Sequence, residues 1–192
     1  MEHLGDVLLR DILHIAKFIA SHPLTRDQQF AAWRRVVAWQ LKSRTRAEVI
    51  VPWLGGRSLA ACRGMRGITG NIYAGVHEFR DMMLTVHFLR PGDLFLDIGA
   101  NVGSYAILAS GVSGATTWAF EPDPVTLGFL ARNVALNDLG DLVKTFDCAL
   151  GDADGEVCFT VGFDTNNKVL TDPTGEHVRR VEQRRLDGLT TD

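Results

Sequence analysis

No apolar run in this 192-residue chain approaches the roughly 20 residues needed to cross a bilayer. Arg, His, Asp or Lys interrupts every oily stretch. The N-terminus lacks a secretory pattern: Glu2, His3 and Asp6 replace the basic leader, and no clean apolar segment follows. Cysteine is scarce. Cys62, Cys148 and Cys158 are odd in number and widely spaced, which argues against a disulfide framework. Buried or free thiols in a reducing compartment are expected, and so a cytoplasmic location. No C-x-x-C, Cys/His zinc spacing or H-E-x-x-H occurs, and the six histidines are scattered, so no metal site is expected. The absence of G-x-x-x-x-G-K-[ST] excludes a P-loop. Internal repeats and low-complexity tracts are also lacking.

What is present is the composition of a folded protein. The chain is 46% hydrophobic and 22% charged, whereas a disordered chain carries few large apolar residues and a high net charge. The length fits one domain, or one domain with a small appendage. The net charge of -3 conceals an asymmetry. Residues 1–66 carry 11 Lys/Arg against 5 Asp/Glu, and residues 67–192 carry 9 against 18. The basic residues are dispersed, so an ordinary solvated surface is favoured over a nucleic-acid or membrane contact.

Residues 6–20 place Leu8, Leu9, Ile12, Ile15, Ala16 and Ile19 at helical spacing, predicting an amphipathic helix packed on the body. His22-Pro23 ends it. Thr25-x-x-Gln28 reads as a capping box opening a second helix to about Lys42, with Phe30, Trp33, Val37 and Leu41 on one stripe. Residues 47–53 and 57–62 look like a hairpin turning at Gly55-Gly56. The glycine-rich 63–75 reads as an irregular connection. A helix is expected from Glu78 to Phe88, closed by Pro91-Gly92-Asp93. From residue 94 the texture becomes strand (94–98), Gly-rich turn, helix (104–110), strand (116–120), helix (124–137), strand (142–146). This βαβαβ order predicts a parallel sheet and an α/β fold. Residues 156–161 and 178–187 read as further strands.

The informative stretch is Asp97-x-Gly99-x-Asn101-x-Gly103, with Glu121 at the tip of the next strand. Glycines at a strand-to-helix turn permit positive φ and close approach of a ligand to the backbone. The following helix N-terminus offers unpaired N–H groups. An acid about 20 positions further on can accept both hydroxyls of a ribose. A dinucleotide fingerprint would need glycines where Asn101 and Ser104 stand, so NAD or FAD is disfavoured. Asp97 can face a cationic amino group but would repel a pyrophosphate. Adenosine joined to an amino-acid moiety describes S-adenosyl-L-methionine. Blander readings stand beside these: glycines for tight packing, Glu121 as a solvated strand end, Asp147 as a turn residue and Glu78 as a surface helix residue.

Residues 76–188 resemble the FkbM family of S-adenosylmethionine-dependent methyltransferases. The resemblance rests on Glu78, Pro91-Gly92-Asp93, Asp97 to Gly103, Phe120-Glu121-Pro122-Asp123-Pro124, Asn133, Asn137, Ala149 to Asp152, and Leu186-Asp187. It implies a Rossmann-like class I methyltransferase sheet, present in part, with an N-terminal helical and β-hairpin appendage. Residues 1–75 would form the appendage and 76–192 the S-adenosylmethionine-binding core. It also implies O-methylation of a hydroxyl on a small-molecule or glycan acceptor, with no nucleic acid. Asp97, Gly99, Ala100, Asn101 and Gly103 would line the methionine part of the cofactor, and Glu121 would hold the ribose. Pro122, Asp123, Asp147 and Ala149 would flank the adenine, and Glu78 would close the pocket. No catalytic base is identified; His77 is a weak candidate.

The family continues past Leu186-Asp187 with a buried strand bearing an acidic K-I-D-x-E-G-type motif, which has no counterpart here. The chain is therefore expected to be a fragment. Two alternatives are a compact variant that completes its sheet as a homo-oligomer and a non-catalytic cofactor-binding module. A partial parallel sheet would expose an edge and apolar surface, favouring association. Two other functional classes stand as alternatives: a nucleic-acid methyltransferase, and a NAD-type oxidoreductase, against which the missing middle glycine argues.

Overall fold

A computed structural model describes residues 2–160, 169–170 and 178–189. Helix α1 spans Glu2–Ser21 and α2 Gln29–Thr45. The hairpin pairs β1 (Val49–Pro52) with β2 (Ser58–Ala61), and α3 (Arg66–Ala74) and α4 (Phe79–Phe88) follow. The central unit is β3 (Leu94–Ile98), α5 (Ser104–Ala106, continued by a π-helical segment Ile107–Val112), β4 (Thr116–Phe120), α6 (Pro124–Leu136) and β5 (Val143–Phe146). Its strands form a parallel sheet in the order β3-β4-β5. A separate four-stranded sheet has the order β6-β9-β7-β8, from β6 (Ala149–Leu150), β7 (Gly155–Thr160), β8 (Val169–Leu170) and β9 (Val178–Arg184). The predicted strands 156–161 and 178–187 thus lie in this second, mainly antiparallel sheet. Val161 falls outside the described residues. Among the described residues, no helix is long and apolar enough to cross a membrane.

The β3–α5–β4–α6–β5 alternation is what makes the sheet parallel, because each crossover helix returns the chain to the same edge direction. One apolar cluster runs from Ile19, Val36 and Leu59 through Ile107 and Ala119 to Leu130 and Val143. Residues on both sides of position 75 therefore share a core. The register places Leu94, Leu96 and Ile98 on the same sheet face as Trp118 and Phe146. There Leu94 and Ile98 remain exposed, and Lys144 Nζ sits 5.5 and 5.1 Å from the Trp118 and Phe146 ring centroids.

Two asparagines join the hairpin to α6. Asn137 Oδ1 accepts the Ser58 N–H (2.8 Å) and its Nδ2 donates to Ser58 O (2.8 Å). One turn earlier, Asn133 Oδ1 accepts the Ala60 N–H (2.7 Å), and its Nδ2 donates to Ala60 O (3.3 Å) and to Val102 O (2.9 Å). The four-residue spacing on α6 thus matches the two-residue spacing of β2 groups that point one way.

Three expectations change. The capping box does not form: Thr25 Oγ1 instead donates to Ile19 O (2.6 Å), and Gln28 precedes α2 without a side-chain cap. Thr25 is fully buried against the end of α1, so a tertiary contact overrides the local motif. The stripe Phe30, Val37 and Leu41 points outward, and α2 packs instead through Ala32, Val36, Trp39 and Ser43. On α1, Leu9 and Ile12 are likewise exposed, while Ile19 is buried. Residues 66–74 are helical despite their glycines, because Ile68, Ile72 and Tyr73 bury one helical face.

Candidate functional site

The turn after β3 is built by backbone geometry. Gly99 (φ 76°) and Gly103 (φ 91°) occupy the left-handed region, as does Asn101 (φ 50°). Asparagine tolerates this because its side chain bonds locally, and Asn101 Oδ1 accepts the Val102 N–H at 2.8 Å. A Cβ on Gly103 would lie 2.6 Å from Leu130 Cδ1, so this glycine lets α6 pack against the turn. A Cβ on Gly99 would meet nothing within 4 Å, so this glycine faces open space. The Gly99 and Ala100 N–H groups both donate to Phe120 O at 2.9 Å, tying the turn to the end of β4.

Two cavities meet at this turn, and Gly99 and Asn101 line both. The first, of about 290 Å³, lies between the strand ends and the second sheet. Glu121, Pro122, Cys148, Ala149 and Phe159 line it. The second, of about 300 Å³, lies toward α3 and α4. Its walls include His77, Glu78, Asp97, Ala100, Ser104 and Tyr105. Alternation along β3 explains the division, because Asp97 and Ile98 point to opposite faces of the sheet.

Glu121 is buried, with Oε2 accepting the Asn101 N–H (2.9 Å) and Oε1 the Asp123 N–H (3.0 Å). Asp97 is buried too, and its Oδ2 has no hydrogen-bond partner among the described residues. Burial pushes its carboxyl up to about 7; the Ala106 N–H pulls it down, and the Glu121 carboxylate pushes it further up. A carboxylate so placed is poised to take a positive charge.

Of the residues singled out in the sequence, Gly99, Asn101, Glu121, Pro122 and Ala149 come together at the first cavity, and Glu78, Asp97 and Ala100 at the second. Three stand apart. Gly103 packs under Leu130. Asp123 caps α6, accepting the Thr126 N–H (3.1 Å) and hydroxyl (2.6 Å). Asp147 is exposed and lines neither cavity. Sequence reasoning overlooked Tyr105, whose hydroxyl donates to Glu78 Oε2 at 2.8 Å. Burial and then the Glu78 bond push that phenol well above its ordinary range, so it is a donor at neutral pH and not a base. It also overlooked buried Asn71, which accepts the His77 N–H (2.7 Å) and donates to Ser104 Oγ (3.0 Å). The first-turn position of Ser104 and Tyr105 after the glycine turn was the available signal.

No protein-family profile matches the chain. In sequence it is similar to the methyltransferase sdnD of Sordaria araneosa, 34% identical over 83 residues. That match covers 43% of this chain and 32% of that protein. It is also similar to the 31-O-demethyl-FK506 methyltransferase FkbM of Streptomyces tacrolimicus, 38% identical over 68 residues, covering 35% of this chain and 25% of that protein. The chain thus spans about a third or less of the relatives it matches. Among solved structures it is similar to methyltransferase FkbM from Methylobacillus flagellatus KT, with 19% identity and a TM-score of 0.35. That likeness covers 53% of this chain and 24% of the other. The sequence relatives are of the kind that the Asp97–Gly103 and Glu121–Pro124 motifs resemble.

Proposed function

We propose that the chain is the S-adenosyl-L-methionine-binding part of a methyltransferase that acts on a hydroxyl of a small molecule, sugar or natural product. The observation carrying this reading is the pair of buried acids on either side of one glycine turn, one of them with an unpaired oxygen. The two adjoining cavities and the open space at Gly99 fit an elongated ligand with a cationic end and a diol. Asp97 would hold the ammonium group. Glu121 would take the ribose hydroxyls, with its orientation fixed in advance by the Asn101 and Asp123 amides. Pro122, Ala149 and Phe159 would bound the adenine. Bound there, the cofactor would supply an electrophilic methyl on a sulfonium sulfur. The chain's own contribution is orientation and exclusion of water, worth up to about 7–11 kcal/mol where the acceptor is held at attack distance. The neutral Tyr105 hydroxyl and Glu78 border the methionine side and would fix the rim there.

Titration calorimetry with S-adenosylmethionine, S-adenosylhomocysteine and NAD tests the reading. Saturable binding of the first two and none of NAD is expected. A chain that binds NAD, or neither sulfur compound, overturns it.

A further inference from the structure

The outward face of α2 has a composition of its own. Opposite its buried side, Phe30, Val37 and Leu41 form one stripe, since steps of seven and four residues return to the same side of a helix. They are 80%, 55% and 64% exposed, so the protein's own core does not use them. At 100° per residue, Arg34 and Arg44 fall one on each flank of the stripe, with Lys42 further round. All three are exposed. No acidic residue occurs in α2. Across residues 9–46, eight Lys/Arg stand against Asp11 and Asp27, and Asp27 is paired with Arg26 at 3.3 Å.

Helix α1 extends the same surface. Leu9, Ile12 and Leu13 are exposed. Ile12 and Arg44 line one groove of about 840 Å³ between α1, α2 and α3, together with Trp33, Trp39 and Tyr73. Apolar side chains, aromatic rings and the cations Arg44 and Arg63 therefore adjoin one another there, with Asp11 as the one acid of the lining.

We propose that this face docks on an anionic lipid surface. The stripe enters the boundary between headgroups and acyl chains, while Arg34, Lys42 and Arg44 meet lipid phosphates. Charge sets the occupant, because the exposed Arg34, Lys42 and Arg44 on a helix without an acidic residue select an anionic partner. The apolar centre of the face selects lipid over nucleic acid, whose phosphates would call for cations at the centre and not only at the flanks.

The test is flotation of the 192-residue chain with vesicles of phosphatidylcholine alone, or of phosphatidylcholine with phosphatidylglycerol. The chain is expected to float with the anionic vesicles and to remain behind with the neutral ones. Arg34→Ala should lower the partition about fivefold. Phe30→Asp and Leu41→Asp should each lower it by roughly tenfold or more, because a charge then replaces the inserted group. Both positions are solvent-exposed, so unchanged far-ultraviolet circular dichroism is expected of both variants. Three outcomes overturn the proposal: no flotation with anionic vesicles, equal flotation with neutral ones, or undiminished flotation of both aspartate variants. Tight duplex-oligonucleotide binding that competes with flotation and survives Phe30→Asp would assign the face to nucleic acid instead.

Discussion

The carboxylate of Glu121 fastens the backbone of Asn101. Oε2 accepts that N–H at 2.9 Å while Oε1 holds the Asp123 N–H at 3.0 Å. A single buried side chain thus fixes both the glycine turn after β3 and the start of α6. Removing the carboxylate should therefore disturb the loop as well as the site.

Glu121→Ala leaves two N–H groups without this acceptor, at about 1–3 kcal/mol each. A loss of about 2–6 kcal/mol in urea denaturation is expected, with loss of S-adenosylmethionine binding by calorimetry. Glu121→Gln should lose less stability, since one oxygen still accepts. An alanine variant as stable as the parent contradicts the fastening role.

Asp97 gives a pH signature. Its carboxyl titrates near 7 when folded, against 3.8 for the ordinary group. Between those values the folded state binds more protons than the unfolded state, so Asp97 makes stability fall as pH rises through that window. Asp97→Asn removes this slope and should be more stable than the parent at pH 8, by an amount on the order of a few kcal/mol. His22 acts in the opposite sense, because burial lowers its pKa and protonation then opposes folding; it is common to both proteins and cancels. A bound ammonium would favour the ionised carboxylate, so S-adenosylmethionine affinity should weaken below about pH 7. Calorimetry in buffers of different ionisation enthalpy should show proton release on binding in the parent and none attributable to this group in the variant. Equal pH profiles would remove Asp97 from the proposed role.

Asn133 is fully buried and bonded to Ala60 and Val102. Asn133→Leu should cost about 2–4 kcal/mol, because an amide and two carbonyls lose a partner away from water. Because Val102 lies in the glycine turn, ligand affinity should fall as well. Calorimetry under conditions where the variant remains folded separates the two effects, and an unchanged affinity would confine Asn133 to a purely structural role.

The central unit was legible because each strand is a short apolar run bounded by turn chemistry. The predicted bounds of β3 and β4, Leu94–Ile98 and Thr116–Phe120, agree with the structure residue for residue. Helix α2 was misread at the level of faces. It carries apolar residues on both sides, and periodicity does not say which stripe finds a neighbour. Thr25 had two available partners, and the one at the end of α1 prevailed. Asp123 carried a readable local signal, a carboxylate ahead of Pro124 and Thr126, which suits a helix cap. The pairing of Asn133 and Asn137 with β2 had no local signal, since about 73 and 79 residues separate the partners.

That pairing has a consequence for self-recognition. A lone two-stranded ribbon ordinarily presents rows of unsatisfied amides and carbonyls on which another ribbon can template. Here the asparagine side chains occupy the Ser58 and Ala60 donors and acceptors that such a neighbour would need. They act as a terminator, closing one border of the hairpin to sheet growth without a further strand.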